Sequence, residues 1–148
     1  MMDSNYKRTE NWLRACGKEP SEKNLSTQIG VHLEEVMEFI EAVSLDRQES
    51  AEKLQALAAQ IHAIAAEVKR GEVTAFITDR QAALDALCDA EVTGNGLAFI
   101  AGFNKPLADL AVLQSNDDKL VNGKPVILEG GKIGKPRGWK PPDLSPYV

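Results

Sequence analysis

Cysteine is scarce in this chain. Cys16 and Cys88 are the only two, far apart, with no CxxC pair and no metal-type spacing. This excludes a disulfide framework and a thiolate metal knuckle, and it fits a reducing compartment in which both thiols are small core or partly buried residues. Long apolar runs are also missing: no stretch approaches the ~20 apolar residues a bilayer crossing requires. Met1, Met2, Asp3 and Ser4 lack the apolar centre of a secretion signal, so no membrane partner and a cytoplasmic location are expected. A basic footprint is lacking too. The formal charge is -5 and the pI is near 5.1, which argues against a stable nucleic-acid partner, since a phosphate backbone needs positive charge across from it. Gly130-Gly131-Lys132 is not a phosphate-binding P-loop, because the GxxxxGK[ST] spacing and its strand-to-helix frame are absent. No Glu-x-x-His pair occurs, which argues against a di-iron redox bundle.

What is present is helical periodicity. The chain has 148 residues, 43% apolar and 26% charged, enough for one domain that buries roughly 70% of its unfolded surface. Residues 5–16 read as a short amphipathic helix with Tyr6, Trp12, Leu13 and Cys16 inward, stopped near Gly17 and Pro20. A second helix starts between Ser21 and Ser26 and places Ile29, Leu33, Val36, Met37, Ile40 and Val43 on one stripe. Residues 50–71 repeat the pattern with alanines suited to close packing, ending at Lys69, Arg70 and Gly71, where basic charge suits the helix dipole. Thr78 with Gln81 reads as a capping box for a third long helix, whose inward pattern is Ala82, Leu84, Leu87, Cys88 and Val92. Gly94 and Gly96 imply a kink there or a close backbone neighbour, since each costs about 1 kcal/mol against Ala. A last helix follows Asn104 and Pro106, with Leu107, Leu110 and Leu113 facing the core.

The expected fold is therefore all-α: a single-domain helical bundle over 1–148, sequential helices roughly antiparallel, completed by homo-oligomerisation. Residues 117–148, rich in Gly and Pro, form an irregular tail that either drapes over the helices or stays loose. Only residues 125–129 could be a short strand.

Chemistry concentrates in carboxylates. Glu34, Glu35, Glu38 and Glu41 fall in one helix, and Asp85 and Asp89 in another. Glu34 and Glu38 are four apart, as are Asp85 and Asp89, and Glu35 and Glu38 are three apart, so each pair shares a helical face and repels. A hard dication reverses that sign. Magnesium takes oxygen ligands and commonly joins a few carboxylates to substrate phosphates. Aspartate is a poor mid-helix former, so Asp85 and Asp89 amid alanines and leucines call for a reason, and an entirely exposed face is not expected there. A solvated acidic face is the alternative. The tail has the opposite charge: from 119 to 140 Glu129 is the only acid, against Lys119, Lys124, Lys132, Lys135, Arg137 and Lys140. It either neutralises acidic helices or faces phosphate. His32 reads as a packing group or a support behind the acidic run, His62 as a structural or interface group, and Trp12 as the anchor of the first helix.

The run Glu34-Glu35-Val36-Met37-Glu38, the acidic pair around Ala86-Leu87-Cys88, and the segment Ser115-Asn116-Asp117-Asp118-Lys119-Leu120 resemble the all-alpha nucleoside triphosphate pyrophosphohydrolases, the MazG-like and phosphoribosyl-ATP pyrophosphohydrolase-like group. So do Asn122-Gly123-Lys124-Pro125 and the closing Gly-Lys-Pro segment through Pro141-Pro142-Asp143-Leu144. The resemblance implies magnesium-dependent hydrolysis of a nucleoside triphosphate to monophosphate and pyrophosphate by a homodimer or homotetramer. By motif it implies that Glu34, Glu35 and Glu38 are catalytic, that Glu35, Glu38, Asp85 and Asp89 hold metal, and that Asn116, Lys119, Lys132 and Lys135 meet substrate. The second acidic motif departs from the usual ExxD: Ala86 stands three before Asp89, and the nearest acid is Asp85. Residues 51–70 add a helix that compact relatives lack. The competing expectation is a non-catalytic helical binding or scaffold protein that keeps only the frame.

Overall fold

The structure, a computed structural model, describes residues 4–128 and 132–148. The chain is all-helical. Among the described residues it forms α1 Asn5–Ala15, α2 Glu22–Glu41, α3 Gln48–Arg70, α4 Arg80–Ala101 and α5 Lys105–Asp117, then strands β1 Leu120–Val121 and β2 Lys124–Pro125 and a 3-10 turn at Ser145–Tyr147. It falls into two compact units. One is Pro20–Thr78; the other joins the chain up to Glu19 with Asp79–Val148.

The Pro20–Thr78 unit is a helical hairpin. Ser21 caps α2, its hydroxyl accepting from the Asn24 N–H at 3.1 Å. Two alanines two turns apart on α3, Ala58 and Ala65, are fully shielded, as are Met37 on α2 and Val68 on α3. Gly30 makes the approach possible: a Cβ there would sit 3.0 Å from the Ala65 carbonyl oxygen and 3.1 Å from Val68 Cγ1. Gly30 meets the C-terminal part of α3 while Gln55 reaches Ile40, so the two helices run antiparallel. The Gln55 amide donates to the Ile40 and Val43 carbonyls, each at 3.1 Å, satisfying groups that the end of α2 leaves open. The expected apolar stripe is thereby trimmed. Val43 lies past the helix end, and Val36 is exposed because one partner helix covers only part of so wide a face. Gly71 ends α3 in the left-handed conformation the sequence predicts, with the Glu72 N–H returning to Glu67. The buried Ser26 hydroxyl accepts from the Ala75 N–H at 2.9 Å, fastening the chain beyond α3 back onto α2.

In the other unit α1 packs on α5. Arg8 pairs with Asp117 at 2.6 Å, and the Asn5 amide reaches Asp109 at 3.4 Å. Trp12, Leu13 and Cys16 face inward to varying depth, but Tyr6 is exposed although Asn5 and Arg8 on either side of it reach α5. α4 is capped by Asp79, which accepts from the Ala82 N–H at 3.0 Å, one residue later than the expected Thr78 box. It then runs unbroken through Gly94 and Gly96, and a Cβ at either position would meet nothing within 4 Å among the described residues beyond the helix's own backbone, so the close neighbour is not found. Leu84, Leu87, Cys88 and Val92, expected inside, are exposed, because the principal neighbour of α4 within its unit is α5 and the contact is short. α5 starts from Asn104 and turns through 119° from α4, not antiparallel to it. Among the described residues no single helix is long and apolar enough to cross a membrane.

The tail drapes. Asn122 and Gly123 both adopt positive φ, 52° and 73°, forming the tight turn between β1 and β2. Of the strand expected over 125–129, Pro125 closes β2 and Ile127 pairs singly with Ile133, while Glu129 lies outside the described residues. The chain end is tied down by the Asn104 N–H donating to the Tyr147 carbonyl at 2.8 Å.

The glycines on α2 and α4 should respond oppositely to substitution. Gly30→Val should destabilise the protein by about 1–3 kcal/mol through overpacking against α3. Gly94→Ala, with open space around it, should gain about 0.5–1 kcal/mol from helix propensity. Denaturant melts of both variants check this; a destabilising Gly94→Ala would contradict the open surroundings.

Candidate functional site

The acidic run on α2 splits between two destinations. Glu34 turns toward α3, where one carboxylate oxygen meets the Lys69 ammonium and the other lies 3.6 Å from His62 Nε2. His62 Nδ1 lies 3.3 Å from Glu41 Oε1, so the imidazole bridges two acids seven residues apart on the same face of α2. Lys69 beside Glu34 holds that carboxyl below the usual carboxylate range, and His62 adds to the effect. The Glu41 carboxylate, with Glu34 contributing less, raises the imidazole above its ordinary range. His62 thus ties α3 to two acids of α2. Glu35 and Glu38 take the other destination: both are exposed, three residues apart on one helical face.

On α4, Asp85 and Asp89 stand four apart and are exposed along with Leu84, Ala86, Leu87, Cys88 and Ala90. This overturns the expectation that a face so rich in alanine and leucine would be covered. Cys88 is likewise exposed and not a core thiol, whereas Cys16 is buried and its thiol is pushed up by that burial. Among the described residues no group of three or more His, Cys, Asp or Glu side chains is gathered closely enough to hold a metal ion. Each helix offers two exposed carboxylates, with His32 exposed three residues before Glu35 on α2 and Cys88 three residues after Asp85 on α4. The carboxylate oxygens are of the kind magnesium takes, a cation that keeps several of its waters and needs few protein ligands.

The third group gathers at the end of α5. Asn116 Oδ1 accepts from the Lys119 ammonium at 2.9 Å. That ammonium lies 5.8 Å from the ring centre of Trp12 and 5.3 Å from that of Trp139. Lys135 sits over Trp139 as well, at 4.7 Å. Beside them an open depression of about 390 Å³ is lined by Asp118, Pro136, Arg137, Gly138, Trp139 and Lys140. Three of the four expected substrate contacts, Asn116, Lys119 and Lys135, are therefore gathered about one indole. Lys132 is exposed, and its backbone carbonyl accepts from the Leu128 N–H at 2.8 Å. Trp12 anchors α1 as expected, donating its indole N–H to the Asn116 carbonyl at 2.9 Å. Trp139, Arg137 and Lys140 were not singled out as site residues in the sequence. The available signal was the scarcity of indoles, two in the chain, one of them inside the basic tail.

No family model, no curated protein and no solved structure matches this chain.

The His62 bridge has a pH signature. Its raised imidazole contributes stability that is complete below about pH 6.5 and is lost as pH rises through the higher folded value. The lowered Glu34 carboxyl works in the other sense: its contribution is present above about pH 4.5 and is lost as pH falls through the depressed value. Both are present together between those limits. Thermal melts should therefore show His62→Gln destabilising the protein more at pH 5.5 than at pH 8. An equal loss at both values would count against the bridge.

Proposed function

We propose that the chain hydrolyses a nucleoside triphosphate to nucleoside monophosphate and pyrophosphate with magnesium. The observation that carries this reading is the split of the acidic run. α3 supplies a lysine and a histidine to Glu34, while Glu35 and Glu38 are exposed on the same helix. A merely solvated face would not need its acids sorted in this way. Glu34, locked by Lys69, holds the acidic turn of α2 in register as a positioning group in the reaction. On α2 Glu35 and Glu38 are oxygen donors for a metal, and on α4 Asp85 and Asp89 are a second such pair. When bound, magnesium supplies charge neutralisation for the triphosphate and a more acidic water. Asn116 and Lys119 meet the phosphates, and Lys135 adds positive charge where pyrophosphate departs.

The reading includes a homodimer or homotetramer. Phe99 and Ile100 are 80% and 82% exposed, and Val92 and Leu84 are 69% and 64% exposed on the same helix. So much open apolar surface on one helix favours a second copy as its cover. Sedimentation should find more than one copy per particle, and Phe99→Asp with Ile100→Asp should shift the particle toward the monomer. A wild-type monomer at micromolar concentration would remove the assembly from the reading.

Pyrophosphate release across the ribo- and deoxyribonucleoside triphosphates is the deciding assay. We expect turnover that chelation abolishes and that Glu38→Gln lowers at least about a hundredfold, the scale of an essential catalytic group, with helicity unchanged. Full turnover in Glu38→Gln would defeat the assignment. Silence of the folded wild-type protein over the whole panel would favour the non-catalytic scaffold.

A further inference from the structure

α1 is attached to its unit through little apolar surface. None of the residues of Asn5–Ala15 is buried, and Trp12 and Leu13 are only partly covered. The contacts that fasten the helix are polar or cationic. They are the Arg8–Asp117 ion pair at 2.6 Å, the Asn5 amide on Asp109 at 3.4 Å, the Trp12 N–H on the Asn116 carbonyl at 2.9 Å, and the Lys119 ammonium 5.8 Å from the Trp12 ring centre. An isolated helix shorter than about 12–15 residues is marginal in water, so α1 depends on docking for its shape.

Several of its ion pairs would travel with it. Lys7 and Arg14 pair with Glu10 inside the helix, and Arg14 also pairs with Glu19 in the link beyond. Asp109 keeps the Lys105 ammonium at 2.7 Å when the Asn5 amide departs. Lifting α1 therefore breaks a small set of partly exposed polar contacts whose groups regain water. Gly17 supplies the pivot: its φ of 71° lies in the left-handed region, and a Cβ there would meet nothing within 4 Å among the described residues. Beside the pivot lies Cys16, 7% exposed, its thiol pushed up by burial, with Lys18 and Lys119 near enough to act in the opposite sense. We propose that α1 is a strap that opens locally: it pivots at Gly17 off α5 while the rest of its unit stays folded, and so uncovers Cys16 and the last turn of α5. That turn carries Asn116, so opening changes the surroundings of a residue placed on substrate. This consequence rests on the hydrolase reading, whereas the strap does not.

Cys16 serves as the reporter of opening. Cys88→Ser makes it the sole thiol of the full-length chain, and its modification by excess iodoacetamide at pH 8 is followed by mass. We expect Cys16 to react about ten- to a thousandfold more slowly than in the urea-unfolded chain. Unfolding of a whole domain would impose several-thousandfold protection or more. Below the unfolding transition the rate should depend little on urea, because a local opening exposes little surface. Arg8→Gln should speed it about two- to tenfold, the range of a partly exposed ion pair. Ala98→Gly on α4 should lower the urea midpoint yet leave the rate within about twofold. If the whole unit had to open, that loss of helix propensity would speed labelling about fivefold. Labelling that rises in Ala98→Gly as far as stability falls, or that is unchanged in Arg8→Gln, overturns the proposal. So does a wild-type rate equal to that of the unfolded chain, since the strap would then not be closed. These outcomes are read without nucleotide, so failure of the hydrolase reading leaves them as they stand.

Discussion

The end of α5 is where the larger unit is held together. A helix terminus must pass its last carbonyls to some donor, and here two indoles from opposite ends of the chain join the backbone N–H groups of Asp118 and Lys119. This single requirement draws α1 onto α5, draws the tail across the same turn, and places Lys119 between two rings. The ion pair between Arg8 and Asp117 and the tie between Asn104 and Tyr147 then close around it. Few side chains in this unit are deeply buried, so polar fastening at one helix end does much of the work that a large core does elsewhere.

The hairpin of α2 and α3 is organised differently. Its constraint is distance: Gly30, Ala58 and Ala65 let two backbones approach closely, and everything with chemical interest follows from that closeness. Lys69 and His62 can reach Glu34 only because the helices touch. The acidic run repels itself at helical spacing, and α3 offsets part of the repulsion with one cation and one titratable ring. Glu35 and Glu38 are left on the outer face, the arrangement on which the proposed metal chemistry draws.

α4 is the element whose role is least contained within its own unit. It is long, well capped by Asp79 and ended by a left-handed Gly102, yet Ala98 is its one buried residue among those described. Capping and local propensity suffice to define its limits, while its apolar face awaits a cover that the proposed assembly would provide.

The sequence by itself determined the all-helical class, most helix limits to within a few residues, the glycine stop of α3, the asparagine start of α5 and the acidic positions on α2 and α4. These are local matters, set by periodicity and by caps that act within one turn. It misjudged which faces are covered: Tyr6, Val36, Leu84, Leu87, Cys88 and Val92 fit a helical stripe, but periodicity says which residues share a face and not whether a neighbour arrives. Tertiary structure alone decided that Glu34 would be claimed by Lys69, that Trp139 would close on Ser115, and that Lys119 and Lys135 would meet at one indole. Apart from Lys135 and Trp139, four positions apart, those contacts join residues twenty or more positions apart, and no pattern within a helical turn can encode a partner that far along the chain.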